Sequence, residues 1–508
     1  MKLAKQLLPL LLGMLMSGCG TVDVNRLPST ALPSAAVKTT YLGAWADQAS
    51  QGQKAANGVR LLGDGREAFA LRASLANHAQ KTLDVQSYIL EDDLAGRALL
   101  ERMLKAAERG VRVRLLLDDT ASLGKQELLA AFASHPNVQV RLFNPIPVGR
   151  SFWLTYHLAL VADFDRLHQR MHNKLWLTDN AVAITGGRNL ADEYFAIADE
   201  DNFDDLDVVA VGPTVNVLSA SFDAYWNHPL AVPVGRFERA SARAWRNLVT
   251  HTEARPSPEG ELLARYRLVG GPDALLGSLT WAPAIALWDL PDKLANVGYP
   301  ALGTTLLGQL GDAFHQLERR LLIVSPYVIP TQASIDYQAQ LSRRGIEVTI
   351  LTNALEATDL PSLHSAYTPW RAELLGNGAR LYELRANPER GEGLPASGKI
   401  SSLHTKAMAF DERRLFVGSL NADPRAVWWN SEVGLLIDSP KLTRQLWAQA
   451  RRGMDPGHSY ALGLRDKGRP VWYTQVDGQM VALTEEPGSF TRRFKAWMLG
   501  LLGIEHLL

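Results

Sequence analysis

The residues whose types and spacing could do chemistry occur twice. His172, Lys174, Asp179, Gly186, Gly187 and Asn189 stand in the pattern HxKxxxxD followed by GGxN, and His404, Lys406, Asp411, Gly418, Ser419 and Asn421 repeat it with GSxN. A chance HxKxxxxD is expected on the order of 10⁻² times in a chain of this composition, so a second copy with the same downstream Gly and Asn marks a duplicated functional unit. Imidazole, ammonium and amide suit a phosphodiester. Two Lys and two Asn would stabilise charge on the transition-state oxygens. Two His allow a two-step displacement, in which one ring attacks phosphorus while the other protonates the departing alkoxide. That chemistry needs no metal or other cofactor. A nucleophilic imidazole does need an acid on its other ring nitrogen to fix the tautomer. The candidates are Asp205 in DDLDVVAVGP for His172, with Asp204 and Asp207 as alternatives, and Glu432 in NSEVGLLIDSP for His404.

The elements that must position these groups also come in pairs. His and Lys two apart on a strand share a face. The following residues read as hairpins, 175–178 with 181–185 and 407–410 with 415–417, turning at Asp179-Asn180 and Asp411-Glu412. Both aspartates are therefore expected at turns, away from the phosphate. Gly186-Gly187 and Gly418-Ser419 allow close backbone approach to a ligand, and Asn189 or Asn421 adds an amide donor. Upstream, an alternating strand over 82–89, an amphipathic helix over 94–109 closed by Gly110, and an apolar strand over 111–117 form a β-α-β unit. Residues 321–328, 334–344 and 346–351 repeat it. Arg109-Gly110-Val111 matches Arg344-Gly345-Ile346 at nearly the offset that relates His172 to His404, so the chain is an internal duplication.

The duplicated pattern resembles the HKD motifs of the phospholipase D superfamily. That resemblance implies an α/β fold of two tandem domains with mixed sheets, related by a pseudo-twofold axis, with the site at their interface. It implies His172, Lys174, Asp179, His404, Lys406 and Asp411 as the catalytic set, supported by Asn189, Asn421, Ser419, Asp205 and Glu432, with His172 as nucleophile. Beyond the motifs, SYILEDD, ERGVRVRLLLDD, TGGRNLADEYF, WDLPDK, LHSAYTPWRAELLGNGARLYEL, GSLNADPRA and LLGIEHLL make the chain similar to the cardiolipin synthase C type of bacterial phospholipase D protein. This implies a phosphatidyltransferase whose acceptor is phosphatidylglycerol and whose donor is phosphatidylethanolamine or a second phosphatidylglycerol. The alternatives are a hydrolytic phospholipase D releasing phosphatidic acid, a phosphodiesterase or nuclease, and a lipid-binding protein without turnover. Formal net charge is zero, so the electrostatic footprint of a nucleic-acid partner is missing from the chain as a whole. The stretch 192–207 holds eight acids but no His or Cys and no recognisable metal-loop spacing, so no metal site is expected there.

Residues 1–19 carry Lys2 and Lys5, an apolar run over 7–16, and Cys19, the only cysteine, where bacterial lipoproteins place their lipidated residue. Met16 departs from the usual aliphatic residue three before that cysteine. A protein lipid-anchored in the bacterial envelope and facing the periplasm is expected, with Gly20 favouring the outer membrane. The expected divisions are a signal over 1–19, a Pro-, Ser- and Ala-rich tether over 20–55, a first domain over 56–235, a joint over 236–266, a second domain over 267–470 and a tail over 471–508. In the tail, Phe490, Phe494, Trp497, Met498, Leu501 and Leu502 recur at helical spacing after Ser489, and Arg492, Arg493 and Lys495 crowd the first turn. Cations there oppose the helix dipole, which suggests anionic headgroups, or else a helix docked on the core.

Overall fold

The computed structural model describes residues 28–146, 163–198, 202–252, 278–296, 298–386 and 400–501. Cys19, the expected lipidation site, and the expected signal lie outside them.

The first half builds on strands β1 (Asn57–Leu62), β2 (Thr82–Ser87), β3 (Arg112–Asp118), β4 (Val138–Phe143), β5 (Arg170–Met171), β6 (Leu175–Thr178), β7 (Val182–Gly186), β8 (Asn202–Asp204), β9 (Asp207–Val211) and β10 (Ala231–Pro233). The second uses β11 (Thr280–Ala282), β12 (Ala284–Trp288), β13 (Arg320–Val324), β14 (Glu347–Asn353), β15 (Arg380–Leu384), β16 (Ile400–Leu403), β17 (Ala407–Phe410), β18 (Arg414–Gly418), β19 (Asn430–Ser431), β20 (Val433–Asp438), β21 (Ser459–Arg465), β22 (Arg469–Val476) and β23 (Gln479–Leu483). Two mixed sheets result, ordered β10-β4-β3-β2-β6-β7-β9-β1-β11 and β12-β20-β18-β17-β13-β14-β15-β21-β22-β23. The parallel triplets β2-β3-β4 and β13-β14-β15 follow from helical crossovers, because parallel neighbours cannot be joined by a tight turn. The hairpins β6-β7 and β17-β18 run antiparallel beside them. The chain passes from the first sheet to the second between β11 and β12, at Pro283.

The sheets pack on one another through a shared apolar core. Leu177, Ala183, Val208 and Ala210 belong to one cluster with Leu415, Val417, Leu435 and Ile437, joined by Phe222 and Trp226 of the helix Pro213–Asn227 and by Leu446 and Trp447 of the helix Pro440–Gly453. Each outer face has its own helix-covered core. Strands buried on both faces read as apolar runs, so WLTDNAVAIT and AMAFDERRLFV carry little alternation. Truncating such a residue to Ala typically costs about 2–5 kcal/mol. No helix among the described residues is long and apolar enough to cross a membrane.

Three segments have more structure than their composition announces. Within the expected tether, Tyr41–Ser50 is a helix capped by Thr40, with Leu42 buried in the first core. Within the expected joint, Ala242–Thr252 is a helix whose Ala244 and Leu248 join the same core. The expected tail begins inside β22, and its helix is Phe490–Leu501, with Arg492 N–H donating to the Ser489 hydroxyl.

Candidate active site

Four short strands bring the halves of the site together. β5 pairs in parallel with β19, Met171 opposite Ser431, and β8 pairs in parallel with β16, Asp204 opposite Leu403. The next residue of each strand carries the chemistry: His172 beside Glu432, and His404 beside Asp205. Backbone bonds set the register, with His172 N–H donating to Ser431 O at 3.0 Å and His404 N–H to Asp204 O at 2.8 Å. The acids are therefore exchanged between the halves. Asp205 serves His404 and Glu432 serves His172, the reverse of the pairing expected from sequence order. The cause is topological: each His follows a strand that finds its partner in the other half.

His404 Nδ1 lies 2.7 Å from Asp205 Oδ2, and His172 Nδ1 lies 3.1 and 3.0 Å from the two Glu432 oxygens. A carboxylate at Nδ1 favours the Nδ1–H tautomer and leaves the Nε2 lone pair for chemistry. Tyr88 packs edge-on to the His172 ring, while Tyr194 packs edge-on and Phe203 tilted against His404. Both histidines, both lysines and both acids are buried. Lys174 Nζ donates to His172 O at 2.8 Å and Lys406 Nζ to His404 O at 2.5 Å, so each ammonium is fixed by the backbone of its own histidine. His172-Asn173-Lys174 and His404-Thr405-Lys406 link the short pairing strands to the hairpins and are not themselves on a strand. The shared face of the two side chains comes from this connector and its carbonyl bond rather than from a ladder.

Electrostatics distinguish the two rings. Burial pushes His172 well below its usual range, and Lys174, Lys406, His404 and Arg425 add to the effect. His404 is lowered by burial and by Lys406, against the opposing pull of Asp205. Burial works to raise Asp205, yet His404, Lys406 and Arg188 hold it below the usual carboxylate range. Burial drives Glu432 well above its usual value, against Lys174 and the Ser419 hydroxyl. Burial also lowers Lys174 to about 7 and Lys406 to about 8.

The other expected residues fall into place unevenly. Ser419 Oγ donates to Glu432 Oε2 and accepts from Val433 N–H at 3.0 Å, a support for the acid. Its counterpart Gly187 cannot carry a side chain, because a Cβ there would lie 2.1 Å from Asp205 Oδ1. Asn189 accepts from Ile89 N–H at 3.1 Å and donates to the Tyr194 hydroxyl at 2.8 Å, so it braces the ring that packs on His404. Asn421 is buried, and its Oδ1 has no partner among the described residues. Asp179 and Asp411 lie at the hairpin turns where the sequence places them, apart from the histidine cluster. Each sits at its hairpin turn with positive φ, Asp179 accepting from Gln80, Lys81 and Thr82 N–H and Asp411 from Glu318, Arg319 and Arg320 N–H. They lock the hairpin to the start of the neighbouring parallel strand.

Sequence reasoning missed several positioning residues. Asp118 at the end of β3 accepts from Met171 N–H at 2.9 Å, and Asn353 at the equivalent end of β14 accepts from Leu403 N–H at 2.7 Å. Asp289 accepts from Glu432 N–H at 2.9 Å and from Lys293 Nζ at 2.8 Å. Arg188 donates to the carbonyls of Leu62, Gly63, Tyr194 and Asp205. The polar residues closing LLLDD and TILTN, apolar strands in otherwise buried sequence, were the available signal. Within the acid-rich stretch, Asp192 accepts from Ala95 N–H, Asp205 binds His404, and Asp207 pairs with Arg72 and Arg188.

This duplicated, interface-built arrangement has known counterparts. The family model described as cardiolipin synthase, PLD-like domain matches residues 73–226 and 310–453, one match per half. Cardiolipin synthase C of Escherichia coli (strain K12) is 37% identical over 460 residues, covering 87% of this chain and 94% of that protein. An uncharacterized protein of Helicobacter pylori (strain J99) is 30% identical over 86% of this chain and 87% of its own length. Among solved structures, a phosphatidylserine synthase of Haemophilus influenzae Rd KW20 superposes with a TM-score of 0.54 at 16% identity, over 82% of this chain and 91% of that one, a likeness of fold. With the family matched in both halves, the chain belongs to the cardiolipin synthase, PLD-like domain family.

Proposed function

We propose that the protein is a phosphatidyltransferase that makes cardiolipin from phosphatidylglycerol and a second phospholipid, phosphatidylethanolamine or phosphatidylglycerol, through a phosphohistidine on His172. The observation that carries this reading is the pair of buried histidines, each held at Nδ1 by the acid of the other half, with a lysine fixed beside each. Neutral His172 attacks phosphorus through Nε2. The bond from phosphorus to the headgroup oxygen breaks, and that oxygen takes the Nε2 proton of His404. The glycerol hydroxyl of the acceptor then gives its proton to His404 and attacks phosphorus, the phosphorus–nitrogen bond breaks, and neutral His172 is regenerated. Lys174 and Lys406 stabilise the charge that develops on the phosphoryl oxygens.

The assignment of roles follows from the exchanged acids. A nucleophile must be unprotonated, and His172 is the more strongly depressed ring. Phosphorylation makes His172 an imidazolium, and Glu432, whose charge burial penalises, gains most from a cation at its side. Asp205, held anionic, favours the protonated form of His404, as an acid requires. The acid-rich strand thus supports His172 as nucleophile by serving the other histidine.

Residues 1–19 support a lipid anchor at Cys19 in the cell envelope, facing the periplasm, with the outer membrane favoured by Gly20. The test of function is the product. Purified protein with phosphatidylglycerol and phosphatidylethanolamine in vesicles is expected to yield cardiolipin and free headgroup. Phosphatidic acid as the sole lipid product would assign hydrolysis, and unchanged lipid would assign binding without turnover.

A further inference from the structure

Apolar side chains that a globular protein normally covers stand exposed on segments linked to each histidine. On the His404 side, the C-terminal helix carries Phe490, Phe494 and Met498 at intervals of four, on one face, with the two rings stacked 6.2 Å apart. Phe490 is 75% exposed and Phe494 49%. The helix is firmly mounted. Arg492 donates to the carbonyls of Leu355 and Thr358 at 3.1 and 2.8 Å, and Glu486, just before the helix, accepts from Arg371 at 2.6 Å and contacts His364 Nε2 at 2.8 Å. The loop it grips continues through Asp359, which accepts from the Tyr327 hydroxyl at 2.7 Å and is among the charges acting on His404 and Lys406, to the exposed Leu360.

On the His172 side, Tyr299 is 69% exposed and Leu302 stands out next to it. Tyr299 packs edge-on against Trp428 and Trp429. Trp429 O accepts from Arg170 N–H, and two residues on, Ser431 O accepts from His172 N–H. The Tyr299 group is thus one short backbone step from His172, and the C-terminal helix grips the loop that carries Asp359, one of the charges acting on His404.

We infer that these two apolar groups form a docking surface for a phospholipid bilayer, which holds the mouth of the site against the plane that contains its substrates. This rests on the phosphatidyl-transfer reading. The occupant follows from charge and placement. The helix contains no acid; Arg492 and Arg493 are engaged by the carbonyls of Leu355, Thr358 and Glu486, and Lys495 stays exposed, a cation that suits anionic headgroups above an apolar face in the acyl boundary. Aromatic rings on the opposite rim suit the same interface.

The decisive experiment reads the surface itself. In a full-length Cys19→Ser background, Phe490→Cys carries an environment-sensitive fluorophore. Glu108→Cys carries it as reference, because Glu108 lies near the start of β3, the end opposite Asp118 and the histidines. With vesicles of three parts phosphatidylcholine to one part phosphatidylserine, the probe at 490 shifts to the blue and is quenched by brominated acyl chains, while the probe at 108 does neither. Water-like emission at 490 with saturating vesicles, or an equal response at both positions, overturns the proposal. The double variant Phe490→Ser, Phe494→Ser is expected to lose about 10-fold in turnover of phosphatidylglycerol in vesicles and to keep its turnover of a water-soluble short-chain phosphatidylglycerol. Undiminished vesicle turnover, or equal loss on both substrates, counts against docking. Wild-type protein that turns over neither lipid overturns the transfer reading, and the fluorescence response at 490 against 108 then still decides whether the surface docks on a bilayer.

Discussion

Replacing the two exchanged acids should stall opposite halves of one reaction. Asp205 Oδ2 lies 2.7 Å from His404 Nδ1, and both are buried. Replacing the acid of such an acid–histidine pair by its amide leaves the wrong tautomer and lowers turnover by up to about 10⁴-fold. Asn inverts the tautomer, since its amide donates to Nδ1 and leaves the proton on Nε2. In Asp205→Asn, His404 can then no longer accept the proton of the incoming alcohol. In Glu432→Gln, His172 can no longer attack. A phosphatidyl ester of p-nitrophenol separates the steps, because its leaving group needs no acid. Rapid mixing with Asp205→Asn should show a burst of nitrophenol close to one per enzyme, followed by turnover slowed by up to about 10⁴-fold. Glu432→Gln should lose the burst, with nitrophenol release itself slowed by a similar factor. A burst kept in Glu432→Gln and lost in Asp205→Asn would refute the assignment of acids to roles. Bursts of unchanged rate and size in both variants would refute tautomer control by either acid.

The pH profile of kcat/KM should fall on its alkaline side first as His404, the acid of the first step, loses its proton below the ordinary His range, because burial and Lys406 lower it, and further as Lys174 and Lys406 lose theirs, at about 7 and about 8. A bound phosphodiester anion favours the ammonium form, so the same limb in kcat should move to higher pH, and identical limbs would contradict the role of the lysines. The acid limb of kcat/KM should lie below the ordinary His range, because His172 must be neutral and burial lowers it. Asp179→Ala should lower stability by about 2–4 kcal/mol, since it strands backbone amides at a buried strand start, and Asp411→Ala, whose amide partners are largely open to water, should cost less; denaturant titration measures the losses, while kcat of the folded protein stays near wild type. Turnover should survive EDTA, with the lysines supplying the charge that a metal would. Restoration by one divalent ion after loss in chelator would count against this.

The residues of the site were legible in the sequence because its chemistry is written in local spacing, and the β-α-β units were legible from apolar strands and the glycines that end their helices. The pairing of acids was not. His172 and Glu432 are 260 residues apart and His404 and Asp205 are 199 apart, joined through strands of only two to four residues. Such strands have no periodicity to read, so proximity along the chain suggested Asp205 for His172. The helix Tyr41–Ser50 was hidden by its neighbours: Leu42 alone of its apolar residues is fully buried, inside a stretch dominated by Ala, Ser and Thr. Asp118, Asn353 and Asp289 act on backbone amides far along the chain, and a polar residue ending a strand does not announce which amide it will meet.

The most direct test of the account is to identify the covalent intermediate. Wild-type protein given a phosphatidyl donor labelled in the phosphoryl group, quenched in base where phosphohistidine survives, and digested, should carry the label on the peptide containing His172, with His404→Asn increasing its amount from the nitrophenyl donor. Label on the His404 peptide and none on that of His172 would contradict the central claim.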